Sequence, residues 1–268
     1  MLFFRLTSLE LGLILFGIVL GTTLLGWFVG NRLRAHADSL REPIGVVQAA
    51  LLGLVGLILA FGLTMAVGRY DTRRAAVVDD ANAIGTTYLR AQTLREPVRK
   101  QSLDLLVRYT DASIALSEAV PGSPAAEATI AEGERLQRSL WRLGGETLAD
   151  SPTGSASRLY IETLNEMIDM QTVRVSALNN RVPTAVLLIE IIGAAVALGL
   201  LALYLAILSR GEVTVVLAAV FVSVLLLITF DLDRPTRGVV TVPDKPLVAL
   251  RASMELPPAA QAPDAPSR

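Results

Sequence analysis

The chain lacks cysteine altogether, has a single histidine, and is only 5% aromatic over 268 residues. Without thiols it has no disulfide, no thiolate metal site and no thiol nucleophile. His36 alone cannot build a histidine metal site or a catalytic triad. The net charge of −1 gives no bulk attraction to nucleic acid, so none is expected as a partner. No phosphate-cradling glycine loop, zinc-ligand spacing or nucleophile elbow occurs. No cofactor or metal is implied, and enzyme chemistry has no visible seat.

What the chain does have is apolar sequence, and its distribution is uneven. Leu11–Gly30 is free of charge for 20 residues and Ile44–Gly68 for 25, with Gln48 its one strongly polar member. Thr184–Ser209 carries one charge, Glu190, and Val213–Phe230 carries none over 18 residues. About 20 apolar residues in a helix cross the hydrocarbon of a bilayer, so all four stretches qualify as spans. The first is too long for a secretory signal, and no small-residue cleavage site precedes Asn31-Arg32.

The spans form two hairpins. An outer loop at 31–43 joins the first pair, and a tight outer turn at 210–212 joins the second. An all-α membrane protein with a helical insert at 69–183 between the hairpins is the expected fold. One side of the membrane receives residues 1–10, the insert and the C-terminal chain. That side holds Arg5, Arg69, Arg73, Arg74, Arg174, Arg181, Arg234 and Arg237; the other holds Arg32, Arg34, Arg41 and Arg210. The positive-inside rule therefore puts the insert and both termini in the cytoplasm of a bacterial inner membrane.

The insert reads as four amphipathic helices around a common core. One continues from the second span to about Leu94. The next carries Val98, Leu105, Leu106, Tyr109 and Ile114 at helical spacing. "VPGSP" (120–124) is a turn. Ala125–Leu143 is the third helix, and "GG" at 144–145 with "SPTGS" at 151–155 bounds a loop. Leu159–Leu178 is the fourth. Residues 231–250 form a membrane-proximal segment, and 251–268, with "PPAAQAPDAPSR", are expected to be disordered. Within the first span, Gly17/Gly21 and Gly26/Gly30 are pairs of small residues that let helix backbones approach closely. They fit packing within one subunit or against a neighbouring one.

The second span runs into charged sequence with no proline between: "ILAFGLTMAVGRYDTRRAAVVDDANAIGTTYLR" (58–90). Its part "FGLTMAVGRYDTRR" (61–74) resembles the second-helix stretch of the bestrophins. "DDANAIGTTYLR" and the closing "DLDRPTRG" (231–238) are still more similar to the bacterial bestrophin-like family. The resemblance covers roughly residues 10–250. Bestrophins are pentameric anion channels with a hydrophobic neck on the second transmembrane helix. The resemblance therefore implies a homo-oligomer, five-fold if it follows the family, that conducts small anions such as chloride. It places neck positions at Gly53, Leu57 and Phe61, which share one helix face at i, i+4, i+8. Gly53 departs from the apolar pattern and leaves two rings. Such rings gate by excluding water. Leu57 and Phe61 are equally compatible with ordinary packing or lipid contact. Calcium-regulated bestrophins carry a dense acidic cluster after the last span. Here only Asp231 and Asp233 stand there, so no calcium clasp is expected; the two acids pair with nearby arginines or sit in water.

Among the remaining polar groups, Arg69, Arg73 and Arg74 are candidates for the inner vestibule, and Arg32, Arg34 and Arg41 for the outer mouth, where they would enrich anions. Positive-inside anchoring and lipid phosphates explain the same residues without a pore. Asp79, Asp80 and Asn82 fit helix-surface pairing with the arginines. Glu190, inside the third span, is expensive there. It is either a proton or cation site, or a neutral acid hydrogen-bonded to Gln48 or a threonine. Two other function classes stay open. An ion-powered stator subunit would use Glu190, Thr64 and Thr229. A sensor or scaffold would act through the insert helices and need no pore.

Overall fold

The computed structural model describes residues 6–209 and 211–260, and there it is all-helical with no strand. Arg5, Arg210 and the last eight residues of the expected disordered tail lie outside the described residues. The elements are α1 (Ser8–Leu33), a 3-10 turn (Arg34–His36), α2 (Ala37–Ala91), α3 (Val98–Glu118), α4 (Pro124–Asp150), α5 (Ser155–Asn179), α6 (Thr184–Ile207), α7 (Glu212–Leu232) and α8 (Lys245–Ser253). Four helical stretches are long and apolar enough to cross a membrane. The chain divides into two compact units: residues up to Tyr70 with Arg181–Thr241, and Asp71–Asn180 with the residues from Val242 onward.

Several helices run past the bounds that charge alone suggests. The expected outer loop at 31–43 is helical from Ala37, and Pro43 lies inside α2. Ala37, Leu40, Arg41 and Glu42 favour helix, and exposed Arg41 and Glu42 mark contact with water rather than the end of a helix. The glycines at 144–145 do not open a loop but lie within α4, which continues to Asp150. A Cβ on Gly144 would lie 3.1 Å from Ile161 and 3.7 Å from Leu164, so this glycine lets α4 approach α5 closely. The "VPGSP" stretch does turn: Gly122 has φ +76°, and Ser123 caps α4 with Pro124 at its first turn.

In the first unit, α1 starts on a capping box. Glu10 N–H donates to Thr7 Oγ1 (3.2 Å), and Thr7 N–H donates to Glu10 (2.7 Å). Helices α1 and α6 run parallel and in backbone contact. A Cβ on Gly30 would lie 2.5 Å from the Leu203 carbonyl oxygen, and one on Gly26 would lie 2.8 Å from the Gly199 carbonyl carbon. Gly26/Gly30 thus pack within the subunit, whereas nothing lies within 4 Å of Gly17 or Gly21. Helix α2 runs antiparallel to α6, with Gly193 against Val55 and Gly45 against Tyr204. The core holds Leu15, Val19, Val55, Ala194, Leu198 and Leu226.

The second unit is held by an apolar core that includes Ile84, Leu106, Leu140, Leu164 and Met167. Two buried polar clusters cross it. Arg174 of α5 donates to Asp80 of α2 (2.7 Å), to the Ser113 carbonyl (2.8 Å) and to Ser117 Oγ (2.6 Å) of α3. Burial pushes the Asp80 carboxyl up, and Arg174 pulls it back down. Tyr109 donates to Gln171 (2.9 Å) and accepts from Gln137 (3.1 Å). Residues 251–260, expected to be disordered, pack with α8 in the second unit. Leu247 of α8 is fully buried and Met254 nearly so. Tyr88 donates to the Met254 carbonyl, and Ala260 N–H donates to Gln92. Leucine, valine and methionine every three or four residues give α8 its apolar stripe, which the Pro-rich composition just beyond it conceals.

Candidate functional site

The first-unit part of α2 has two contrasting faces. Val55, Leu59, Gly62 and Ala66 are buried. At 100° per residue, Gly53, Leu57 and Phe61 lie on the opposite side. Leu57 is 53% and Phe61 62% exposed, and nothing approaches Gly53 within 4 Å. The three candidate neck positions therefore share one uncovered face of the subunit. Thr64, one turn further along that face, spends its hydroxyl on the Ala60 carbonyl of its own helix (2.8 Å).

Two of the arginines proposed for pore mouths, Arg73 and Arg34, serve the fold instead. Arg73 is 1% exposed. Its guanidinium donates to the Ala177 (3.3 Å) and Asn180 (2.8 Å) carbonyls, closing the C-terminus of α5. It is thus not a vestibule charge. A charge pattern cannot reveal this, because an arginine facing a helix end in the core and one facing water read alike in sequence. Of its neighbours, Arg69 is half-buried and Arg74 exposed; Asp71 and Asp79 are exposed as well, so the second-unit part of α2 presents acids and a base together. At the other end of the first unit, Arg34 donates to the Ala206 carbonyl through both Nε (3.2 Å) and Nη2 (3.0 Å), capping α6. Arg32 lies over the Phe28 ring, 4.7 Å from its centroid.

The "DLDRPTRG" segment, marked above for its resemblance, is a buried knot. Asp231 accepts from Ser8 Oγ (2.8 Å), Arg234 (3.1 Å) and the backbone N–H groups of Val239 (2.7 Å) and Val240 (2.9 Å). Arg234 also donates to the Leu6 carbonyl (2.8 Å) and to Ser8 Oγ (2.8 Å). Asp233 accepts from Val182 N–H (2.9 Å). Gly238, at φ +149°, passes so close to Asp231 that a Cβ would lie 2.5 Å from its carboxylate oxygen. Asp231 pairs with an arginine but is buried beside it, not solvated. The knot ties the start of α1, the approach to α6 and the end of α7. No group of three or more acidic or histidine side chains able to hold a metal occurs among the described residues.

Glu190 is fully buried in α6, and neither carboxyl oxygen has a hydrogen-bond partner. It packs on the backbone of Gly62, where a Cβ would lie 2.5 Å from its carboxyl carbon. The expected bond to Gln48 or a threonine is not made. Gln48 lies fourteen residues along α2 from Gly62, about 21 Å away. Thr229, like Thr64, bonds its own helix, at the Leu225 carbonyl (3.0 Å). The hydroxyls and the acid of the stator reading therefore do not join into a path among the described residues. Sequence revealed the unusual acid but not its seat, since one glycine among the ten of the first two spans carries no mark of what rests on it.

Comparison with known proteins adds the following. The chain matches the bestrophin-like domain family over residues 14–247. A comparison with curated proteins finds no match. Among solved structures it is similar to a bacterial bestrophin homolog from Klebsiella pneumoniae, at 14% identity and a TM-score of 0.63, covering 88% of this chain and 96% of that one. A point variant of that homolog gives a TM-score of 0.65 at 14% identity, covering 88% and 97%. A further crystal structure, of a membrane protein, gives 0.63 at 16%, covering 90% and 96%. At these identities the structural likeness speaks for the fold, and the match along the sequence speaks for descent. This chain, all-helical with four candidate spans in two hairpins around a helical insert, belongs to the bestrophin-like family, whose known members are anion channels.

Proposed function

We propose that copies of this chain assemble around an axis lined by the Gly53–Leu57–Phe61 face of α2 and conduct ions through it. The observation that carries the reading is the exposure of Leu57 and Phe61 on the side of α2 opposite its buried face. Two apolar side chains one turn apart, repeated around an axis, make a constriction that stays dry until it widens. Gly53 adds no ring, so the neck is two rings deep. Small anions such as chloride are the permeant ions that family membership favours, with Arg74 the exposed arginine beyond the neck. A five-fold homo-oligomer fits the family, and arginine placement favours an inner membrane with the insert and both termini in the cytoplasm. Arg234, not a calcium ion, neutralises Asp231, so opening is independent of calcium.

The test is current through the purified protein in a planar bilayer. Leu57→Ala and Phe61→Ala, separately and together, are expected to raise conductance and shorten closures. In a chloride gradient the reversal potential should lie toward the chloride equilibrium value. Neck variants indistinguishable from wild type overturn the neck. Absence of current under every lipid and voltage overturns the channel and leaves the insert as the working part.

A further inference from the structure

The neck accounts for the exposed face of α2, but not for the acid behind it. Glu190 is a carboxyl group in the middle of an apolar helix bundle, 0% exposed and with no hydrogen-bond partner. An ionised carboxylate in such a place costs on the order of 3 kcal/mol or more. A metal cation is a poor occupant, because hard cations need six or more oxygens and Glu190 brings two. A proton needs only one.

We propose that Glu190 is a proton-binding site whose occupancy sets the position of the α2 turn that carries Phe61. The neutral acid fits the seat on Gly62. The carboxylate does not, because both of its oxygens are buried there with no protein donor. Glu190 can exchange its proton only when the contact between Glu190 and Gly62 opens, and once deprotonated it cannot settle back. Protonation and the closed α2–α6 contact are therefore linked, each favouring the other by the same free energy. Gly62 follows Phe61 directly, so what moves Gly62 moves the neck residue.

No neighbour competes for the role. The spans of α1, α2 and α7 that pack in this unit hold no titratable side chain between residues 11–30, 44–68 and 213–230. Their buried polar side chains Thr23, Ser223 and Thr229 donate to carbonyls of their own helices. The charged groups nearest along the chain are Arg181, nine residues before Glu190 and ahead of the start of α6, and Asp233, which faces Arg181. With no hydroxyl bonded to it among the described residues, Glu190 is a place where a proton stops rather than a step in a relay.

Two readouts separate the site from its consequence, and the cysteine-free chain makes the second clean. First, the full-length protein in proteoliposomes is treated with a hydrophobic carbodiimide, which reacts with protonated carboxyl groups, and modified residues are read by mass spectrometry. Glu190 is expected to label with a single pH midpoint of its own, labelling falling about tenfold per pH unit above it. Gly62→Ala, which fills the seat, is expected to abolish that profile. A Glu190 that never labels, or labels with the profile of exposed Glu166 and Asp169, overturns the proton site. Second, a spin label on Thr64→Cys, the only cysteine, reports the exposed face of α2. Its spectrum is expected to change over the pH range found by labelling, and Glu190→Gln is expected to hold it in the low-pH form throughout. The same change in Glu190→Gln as in the parent overturns the coupling. Neither readout requires current, so both stand or fall apart from the channel reading.

Discussion

The contact between α1 and α6 allows a magnitude to be worked from the structure. A methyl group on Gly30 would lie 2.5 Å from the Leu203 carbonyl oxygen and 2.7 Å from the Ala206 Cβ. Both are parts of the α6 backbone or fixed to it, so no side chain can swing aside. Ordinary contact begins at 3.4 Å, so the helices must part by about 0.9 Å. A gap of that size forfeits a quarter to a half of the dispersion attraction along the seam. Overpacking of this kind costs about 3 kcal/mol at its upper end, and the helix preference of alanine over glycine returns about 1 kcal/mol. Gly30→Ala should therefore destabilise the protein by about 2 kcal/mol. Gly26→Ala should do the same, since its methyl would meet the Gly199 peptide. Gly17→Ala and Gly21→Ala meet nothing within 4 Å and should gain up to about 1 kcal/mol per site as monomers. The assay is thermal or SDS-induced unfolding of the four variants in one detergent, with oligomer size measured alongside. Equal stability of Gly30→Ala and Gly17→Ala refutes the reasoning about α1 and α6. Loss of assembly in Gly17→Ala or Gly21→Ala alone would place that pair against a neighbouring copy.

Two further outcomes follow in the second unit. Arg174→Ala leaves Asp80 buried and unpaired, at a cost of about 3–5 kcal/mol. Trp141 fluorescence during urea unfolding of a Trp27→Phe protein reads it, and the paired change Arg174→Met with Asp80→Leu should recover most of the loss. A single variant within 1 kcal/mol of the parent would refute the importance of the pair. Burial pushes the Tyr160 hydroxyl up to about 12 and raises that of Tyr109 further. A phenol with a raised value in the folded state adds stability below about pH 10 that is lost as pH climbs toward the folded value. Stability should therefore hold to about pH 10 and collapse above it, together with late ultraviolet titration of Tyr109 and Tyr160 among the five tyrosines. Ordinary titration of all five refutes the buried assignment.

The sequence makes the spans and the insert legible because both depend on local pattern. Long apolar runs and helical spacing are visible residue by residue. Helix ends are harder. At 31–43 charge suggests a loop where helix-forming residues build one, and at Gly144 a residue that often breaks helices instead brings two together. The candidate site splits along the same line. Leu57 and Phe61 can be placed on one face from spacing alone. The fate of an arginine depends on what lies across from it, so Arg73 and Arg34 read as pore charges while each closes the end of another helix. The tail misleads for a related reason. Pro257 and Pro258 are exposed, while Met254, buried beside Leu247 of α8, decides that the start of the tail packs.

The buried charges of this chain argue for treating Glu190 as something other than architecture. Arg73, Arg174 and Arg234 are each at most 2% exposed, and each spends its guanidinium on helix-end carbonyls, acids or hydroxyls from other segments. That is how a fold carries buried charge: each group makes several bonds, and these bonds, which join elements, offset the cost of desolvation. Asp80, Asp231 and Asp233 follow the same rule from the acid side. Glu190 does not. It joins nothing, it occupies a span where leucine or alanine would pack at no electrostatic cost, and it rests on the one residue type at position 62 that leaves room for it. If its role were packing alone, Glu190→Leu would be better tolerated than Glu190→Gln, since leucine carries no amide to bury unpaired. A protein kept for its packing should thus be more stable as Glu190→Leu with its neck unchanged. A proton-binding residue predicts that the same variant, however stable, loses every pH response of α2.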